Sequence, residues 1–140
     1  MTDVLKALRT LLLADSILAT HVGTRIFGLE LPKAEADSMP RKNVVLRLAG
    51  GLGVGARGFA YLHTVRIDVF NYGATPFESS EVWRASHDAM KAINRKVYNS
   101  TLLHSAEQSS GPIYLKDPDG DWSLVLESWS LLASETTATA

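Results

Sequence analysis

The chain has 140 residues and a formal net charge of -1, with 46% hydrophobic and 21% charged residues. A chain of this size and composition suits one globular domain, no apolar run approaches the roughly 20 residues that a membrane span requires, and the near-neutral charge disfavours a protein that coats nucleic acid. Because there is no cysteine, disulfides, thiolate metal sites and a cysteine nucleophile are excluded.

The N-terminal segment predicts an amphipathic helix. Residues 2 to 14 carry apolar side chains at helical spacing, and Thr2 or Asp3 can cap the N-terminus of the helix. The opening MTDVLKALRT does not lead from a basic stretch into a long apolar core with a small-residue cleavage site. We therefore expect no secretory signal peptide.

A second short helix, a strand and a loop are predicted to follow. Asp15 and Ser16 supply a new cap, and Gly23 suits the end of the helix because glycine tolerates positive φ. A short strand is predicted from Arg25 to Phe27. Residues 28 to 42 contain two prolines and mixed charge without periodicity, so we expect an exposed loop there.

A glycine-rich segment separates two predicted strands. Residues 43 to 48 alternate in hydrophobicity, which predicts a strand beside the one that begins at Tyr61. Five of the ten glycines lie between these strands, and they predict a long hairpin loop with high backbone freedom. Gly53, Gly55 and Gly58 also match the GxGxxG pattern of dinucleotide sites. In those sites a helix follows the pattern, whereas here a strand follows, so we interpret the segment as a loop.

The stretch from Tyr61 to Arg95 has the strongest local signals in the chain. Residues 61 to 71 alternate, which predicts a strand with one packed face and one solvated face. The packed face carries His63, Val65, Ile67 and Val69, and the solvated face carries Thr64, Arg66 and Asp68.

An amphipathic helix is predicted after this strand. Thr75 as N-cap, Pro76 at the first helical position and Glu78 three residues after the cap form a capping box. Apolar and small residues then recur at spacings of three and four, with charged residues on the opposite side. The packing face consists of Val82, Ala85, Ser86, Ala89, Met90, Ile93 and Val97. Because the side chains in the middle of this face are small, we expect the helix to approach the sheet closely.

The C-terminal part predicts strands and a tail. Residues 101 to 108 and 112 to 117 are strand candidates, and DPDGD is a turn. A last strand is predicted from Trp122 to about Ala133. The small polar residues 134 to 140 predict a flexible tail.

The last strand does not alternate cleanly between apolar and polar residues. Leu124 and Leu126 lie on one face, whereas Val125, Trp129 and Leu131 lie on the other. Two explanations are open. Either a β-bulge shifts the phase, or both faces are covered, the second one by another subunit.

No motif for catalysis, a cofactor or a metal ion emerges from the sequence. The four histidines have no i,i+3 or i,i+4 pairing with one another, and the GxSxG pattern of hydrolases is absent. The aspartates of DPDGD lack the glycine and glutamate positions of a calcium loop. The three tryptophans are typical of core or interface anchors. We therefore predict no enzymatic activity and no cofactor.

The order of these features resembles the tail terminator family of long-tailed bacteriophages, also called tail completion or tail-to-head joining proteins. The resemblance spans roughly residues 3 to 133 and rests on four features. They are the Leu-Leu-Ala-Asp run that ends at Asp15, Gly23 followed by Arg25 and Ile26, the Val-x-Ile-x-Val-Phe strand, and the aspartate-rich turn before the last strand. Similar sequences occur in gene transfer agents and phage-derived tail-like particles.

This resemblance implies a structural virion protein. It would form a ring, expected to be hexameric, on the head-proximal end of the tail tube, end tube polymerisation and provide the joint to the head connector. The implied partners are further copies of the chain, the tail tube protein, and the head-tail connector or a stopper protein. DNA would pass through the channel without sequence-specific binding. The implied location is the virion tail or neck, after assembly in the bacterial host cytoplasm, with no membrane partner.

We therefore predict an α+β fold in one domain that spans residues 1 to 133. An antiparallel or mixed sheet of about four or five strands is expected to carry one long helix on one face, together with the N-terminal helix. Thr64, Arg66 and Asp68 are predicted to face the channel if the ring closes around one. Contacts with the tube or another subunit are predicted for Gly53, Gly55, Arg57, Phe59, Trp129 and Leu131.

Two other functions are open from the sequence. A head-completion or stopper protein of the neck would bind the connector and control DNA exit. A small ligand-binding or enzymatic α+β domain would instead have a deep pocket lined by histidine and aspartate side chains.

Overall fold

The computed structural model describes residues 3 to 53, 62 to 118 and 120 to 135. The strands are β1 (Ile26–Gly28), β2 (Asn43–Gly53), β3 (Leu62–Gly73), β4 (Asn94–Tyr98), β5 (Thr101–Lys116) and β6 (Ser123–Glu135). The helices are α1 (Val4–Leu13), α2 (Ser16–Val22), α3 (Lys33–Ala36) and α4 (Pro76–Lys91). None of the helices within the described ranges has the length and apolar character to cross a membrane.

The strands form one mixed sheet in the order β1-β2-β3-β6-β5-β4. The β1–β2 pair is parallel and the other pairs are antiparallel. The predicted α+β class is thus confirmed, whereas the sheet has six strands instead of four or five. The extra strand is β4, which occupies the segment where the sequence predicted the end of a helix and a turn.

Three helices begin at the residues that the sequence predicted. The side chain of Asp3 accepts a hydrogen bond from the backbone N–H of Lys6, and that of Asp15 accepts one from Leu18. The Thr75 hydroxyl accepts a hydrogen bond of 3.2 Å from the backbone N–H of Glu78. Each cap satisfies an N–H group that has no partner inside its helix.

Helix α4 packs on the middle of the sheet. The face that it covers, called here the helix face, carries the buried side chains of Ile67 and Val69 from β3. The close approach is visible at Gly73, where an added Cβ would overlap the backbone of Glu78 and Ser79. The predicted packing face of the helix is confirmed from Val82 to Ile93, but Val97 lies on β4 and is exposed.

A second apolar cluster lies on the other side of the sheet, called here the second face. Its buried members are Val45, Tyr72 and Leu124, and half-buried side chains from residues 27 to 39 pack against them. The segment from 28 to 42, predicted as an exposed loop, therefore covers one end of this face and contains α3. The sequence missed this because a four-residue helix has no readable periodicity and the burial comes from tertiary contacts.

An ion pair joins the two halves of this covering segment to each other. The Glu35 carboxylate, only 6% exposed, accepts hydrogen bonds from Nε and a terminal nitrogen of Arg41, both at 2.5 Å. The Asn43 side chain also donates to it, at 3.4 Å. The hydrogen bond and the charge of Arg41 lower the pKa of Glu35 below its usual value of 4.5.

The C-terminal strands differ from the prediction in their extent. The two strand candidates after the central helix are one continuous strand, β5, and β6 continues to Glu135, two residues beyond its predicted end. Irregularities in register occur between β5 and β6, and the extra residues lie in β5. Backbone pairing continues through them, so Gly111 and Pro112 do not end the strand.

The ambiguous last strand has a specific explanation. Its register with β3 is unbroken over twelve pairs, so a bulge in β6 opposite β3 is not the cause. The same subunit covers the helix face of β6 and only one end of its second face, so the second explanation holds in part and without another subunit. Val125, Trp129 and Leu131 lie on the helix face, and Leu124 lies in the second cluster.

Replacing Ala89 by leucine tests the close packing of α4 on the sheet. Ala89 is 5% exposed in the middle of the packing face, so the larger side chain must push the layers apart. We expect the free energy of unfolding to fall by about 1–3 kcal/mol, measured by denaturant titration. Ala92→Leu, at the exposed C-cap of the same helix, is the control and should stay close to wild type.

Replacing Glu35 by glutamine tests the ion pair. Because the folded-state pKa of Glu35 is lowered, its contribution to stability is present above the unfolded-state pKa and is lost as the pH falls through the folded-state pKa. We expect Glu35→Gln to be less stable than wild type at about pH 7 and the difference to shrink below about pH 4. A constant difference would contradict this account, and the exposed Glu30→Gln is the control.

Candidate assembly surfaces

The predicted glycine loop is only partly described. Gly53 is the last residue of β2 and pairs with His63 of β3, so the strand reaches five residues further than its predicted end at Leu48. A register shift between Leu48 and Gly51 accommodates the extension. Gly55, Arg57 and Phe59 lie outside the described residues, and their predicted contacts stay a prediction.

Trp129 and Leu131 lie inside the subunit. They are 2% and 0% exposed and belong to the main core beneath the helices. Their side chains are not available to another subunit in this conformation, which corrects the predicted interface. The alternation of β6 correctly placed them on one face, but it could not show that α4 of the same chain covers that face.

Thr64, Arg66 and Asp68 lie on the second face, away from α4, as the alternation predicted. The Asp68 carboxylate accepts a 2.6 Å hydrogen bond from the hydroxyl of Ser128 on β6. Arg66 Nε lies 3.8 Å from the same carboxylate, and the Arg66 side chain is 52% exposed. The middle of the second face is therefore a polar surface of charged and hydroxyl groups. Whether it faces a channel stays a prediction.

A buried carboxylate on the helix face was not predicted. Glu127 of β6 is 1% exposed. The indole N–H groups of Trp83 and Trp129 donate to its two oxygens at 2.9 and 2.7 Å. His87 Nδ1 lies 3.0 and 3.1 Å from the same oxygens, the distance of a hydrogen bond in which the Nδ1–H tautomer donates.

This cluster joins α4 to β6. Trp83 and His87 are four residues apart on one side of α4, and Glu127 and Trp129 are two residues apart on one side of β6. The rings also contact one another, with centroids 5.8 Å apart for Trp83 and His87 and 5.2 Å apart for His87 and Trp129. The donors surround the buried carboxylate at the edge of the core, where Trp83 and His87 are half-buried, so the cluster serves packing and orientation. The spacing of these residues within α4 and within β6 was visible in the sequence. No feature of the sequence indicated that this part of the helix packs on this part of the strand.

A polar link lies beside this cluster in the core. The Ser86 hydroxyl donates to the side-chain oxygen of Asn71 at 2.7 Å, and the amide of Asn71 donates to the carbonyl of Val125 at 3.1 Å. Serine on the packing face of α4 is therefore hydrogen-bonded to β3, and through it to β6. This pairing explains why a polar residue is tolerated in that position.

Tyr72 lies at the edge of the second cluster. Its ring stands edge-on to Trp122, with centroids 6.3 Å apart, and its hydroxyl lies 3.5 Å from the Asp117 carboxylate. Burial, followed by the negative charge of Asp117, raises the pKa of Tyr72 to about 12. The turn before β6 is thus packed on the sheet through an aromatic pair and a tyrosine that stays protonated.

Exposed apolar side chains mark two margins of the sheet. The β2 margin, defined as residues 47 to 53 of β2 together with Leu29, exposes Leu29 at 57% and Leu48 at 50%. The β5 margin, defined as residues 106 to 116, exposes Ile113, Tyr114 and Leu115 at 46%, 56% and 45%. The two margins lie toward opposite edges of the sheet, one beside β1 and the other beside β4. Sequence reasoning identified PIYLKD as a strand but not as an exposed edge.

No group of three or more histidine, aspartate or glutamate side chains that could hold a metal ion occurs in residues 3 to 53, 62 to 118 and 120 to 135. The clusters at Glu35 and Glu127 are instead saturated by arginine, asparagine and ring N–H donors. The features that stand out at the surface are therefore the two apolar margins and the polar second face.

Comparison with known proteins found a match among solved structures but none among family models or curated sequences. Among solved structures, a chain in the virion of a native gene transfer agent (GTA) particle aligns with a TM-score of 0.63 at 17% sequence identity. The alignment covers 94% of each chain. This chain has the fold of a virion protein. At this identity the likeness establishes the fold and leaves the function to be argued separately.

Replacing Glu127 by leucine tests the buried carboxylate. The change leaves two indole N–H groups and the imidazole without their acceptor in the core. We expect a loss of about 1–3 kcal/mol in the free energy of unfolding, measured by denaturant titration with circular dichroism. The control is Glu107→Leu on β5, where the glutamate is exposed. A loss below about 1 kcal/mol would show that the donors find other partners.

Proposed function

We propose that this protein is a structural component of a phage or gene-transfer-agent virion and acts as its tail terminator. It would form a ring on the head-proximal end of the finished tail tube, stop further addition of tube subunits, and present a surface to the head connector or a stopper protein. No chemical reaction is part of this role.

The full-length likeness to a virion chain carries this proposal. The aligned protein comes from a gene transfer agent particle, the class of assembly that the sequence resemblance also suggested, and nearly the whole of both chains takes part. A match of this extent includes the sheet, the helices and their connections, so it does not reflect one common supersecondary motif. The structural likeness uses backbone geometry, and the sequence resemblance uses residue patterns.

The surface chemistry supports a role in assembly over a role in catalysis. Within the described residues, the buried carboxylates Glu35 and Glu127 accept hydrogen bonds from the side chains around them, and several large apolar side chains, among them those of the two margins, are exposed. Exposed apolar side chains at strand edges are typical of protein contacts. The polar second face would suit the wall of a channel through which DNA passes without sequence-specific binding.

Deleting the gene in the producing strain tests the terminator role. We expect tail tubes that exceed the normal length and are not joined to heads, because nothing stops polymerisation at the head-proximal end. Electron microscopy of the lysate measures the tube-length distribution, and supplying the gene in trans is the control that should restore it.

Other outcomes would separate the alternatives. Tails of normal length together with heads that lose their DNA would indicate a head-completion or stopper protein. Particles of normal length, joining and DNA content would refute a structural role in the neck or tail.

A further inference from the structure

We propose that copies of this chain join head to tail through the two margins of the sheet, with the β5 margin of one copy against the β2 margin of the next. The inference deepens the proposed function, because it names the surfaces through which the proposed ring would form. The occupant of each margin is thus a second copy of the same chain.

The β5 margin has an open strand edge. β4 pairs with β5 only from Thr101 to Ser105, and no strand in the described part of the chain pairs with the outer side of residues 106 to 116. Residues 107 to 116 are exposed except for the half-buried Gly111. The last four, Ile113 to Lys116, run in regular register with β6. An unpaired edge with apolar side chains on both faces is a template for another strand.

The β2 margin is open in the same sense. β1 pairs with β2 from Val44 to Leu46, and residues 47 to 53 have no strand on that side among the described residues. β1 itself is closed to strand addition, because the Arg9 side chain donates to the carbonyl of Ile26 at 2.5 Å and the backbone N–H of Glu30 donates to that of Gly28 at 2.9 Å. The open edge on this side therefore belongs to β2, beside Leu48.

The strand directions of the two margins are compatible. From β2 through β3 and β6 to β5, each strand runs antiparallel to its neighbour, so β2 and β5 run in opposite directions. A second copy in the same orientation would place its β2 antiparallel to β5 of the first. A contact between two different surfaces, repeated by rotation, generates a ring where the rotation closes.

The outline of the sheet requires a displacement between copies. β1 covers β2 near Val44 to Leu46, and β4 covers β5 near Thr101 to Ser105. These covered parts lie at opposite ends of the strands, so the open part of β2 and the open part of β5 are offset along the strand direction. The register places Leu48 in line with Ile67 and Trp129, and Tyr114 in line with Val125, four residues away along β6. A displacement of four residues brings Leu48 opposite Tyr114 on the same face, because four is an even number. Such a stagger accompanies the closing of a sheet around an axis.

Cross-linking of the full chain tests this contact. Since the natural chain has no cysteine, Leu48→Cys with Tyr114→Cys introduces two unique thiols, one at each margin, for a short bismaleimide. We expect a ladder of covalent oligomers in denaturing gels that ends at the closed ring. The matched control keeps Leu48→Cys and moves the second thiol to Phe77→Cys, at a side chain that is 83% exposed on α4.

The outcomes discriminate between arrangements of the subunits. Both single-cysteine variants should give no ladder. In the proposed contact the β5 margin lies against a β2 margin, so two identical thiols would not lie close together. Strong dimers from Tyr114→Cys alone would indicate a two-fold contact of β5 with itself and would overturn the proposal. Equal ladders from the Phe77→Cys control, or a protein that light scattering shows to be monomeric at every concentration, would overturn it as well. Circular dichroism before cross-linking verifies that each variant is folded.

The result is separable from the test of the terminator role. Rings without the Leu48–Tyr114 ladder would refute these contact surfaces while the proposed function stands. A clear ladder combined with normal tube length after gene deletion would refute the terminator role while the contact surfaces stand.

Discussion

The unbroken pairing of β3 with β6 is the constraint on which the rest of the structure depends. Twelve consecutive residue pairs, from Leu62 with Ser134 to Gly73 with Ser123, leave no freedom in register. Because side chains alternate along a strand, this register assigns every residue of both strands to one face. Ile67 therefore lies beside Trp129 beneath α4, and Asp68 lies beside Ser128 on the polar second face.

The two faces are completed in different ways. On the helix face, α4 contributes small side chains and the ring N–H groups that surround Glu127, so packing and hydrogen bonding orient the helix together. On the second face, the segment from 28 to 42 closes one end around Tyr72, with Glu35 paired to Arg41 inside the segment and hydrogen-bonded to Asn43 of β2. A buried carboxylate with its donors in place favours one arrangement over others, because a shifted helix would leave charge and donors unpaired.

The margins of the sheet contrast with its faces. Inside the subunit the apolar side chains of β3 and β6 are covered by the chain itself, and this includes Trp129, which the sequence suggested as an interface residue. Exposed apolar side chains occur on β2 and β5, where strand pairing stops before the strand does, as well as on α2, α4 and β4. A subunit built in this way has a closed core and open edges, which is the property expected of a part that assembles with copies of itself.

Local signals in the sequence determined the local structure. The caps at Asp15, Thr75 and Asp3, one of two candidates for α1, the alternation of β3 and the packing face of α4 from Val82 to Ile93 depend on residues a few positions apart, and the structure confirms each of them. Only the tertiary structure decided what covers each face. Glu127 lies 44 and 40 residues from its donors Trp83 and His87 on α4, the 28–42 segment packs against Tyr72 and Leu124, which are distant in sequence, and β4 pairs with β5 instead of continuing the helix. Periodicity reports that a side is apolar but not which element covers it, since that depends on contacts between distant residues.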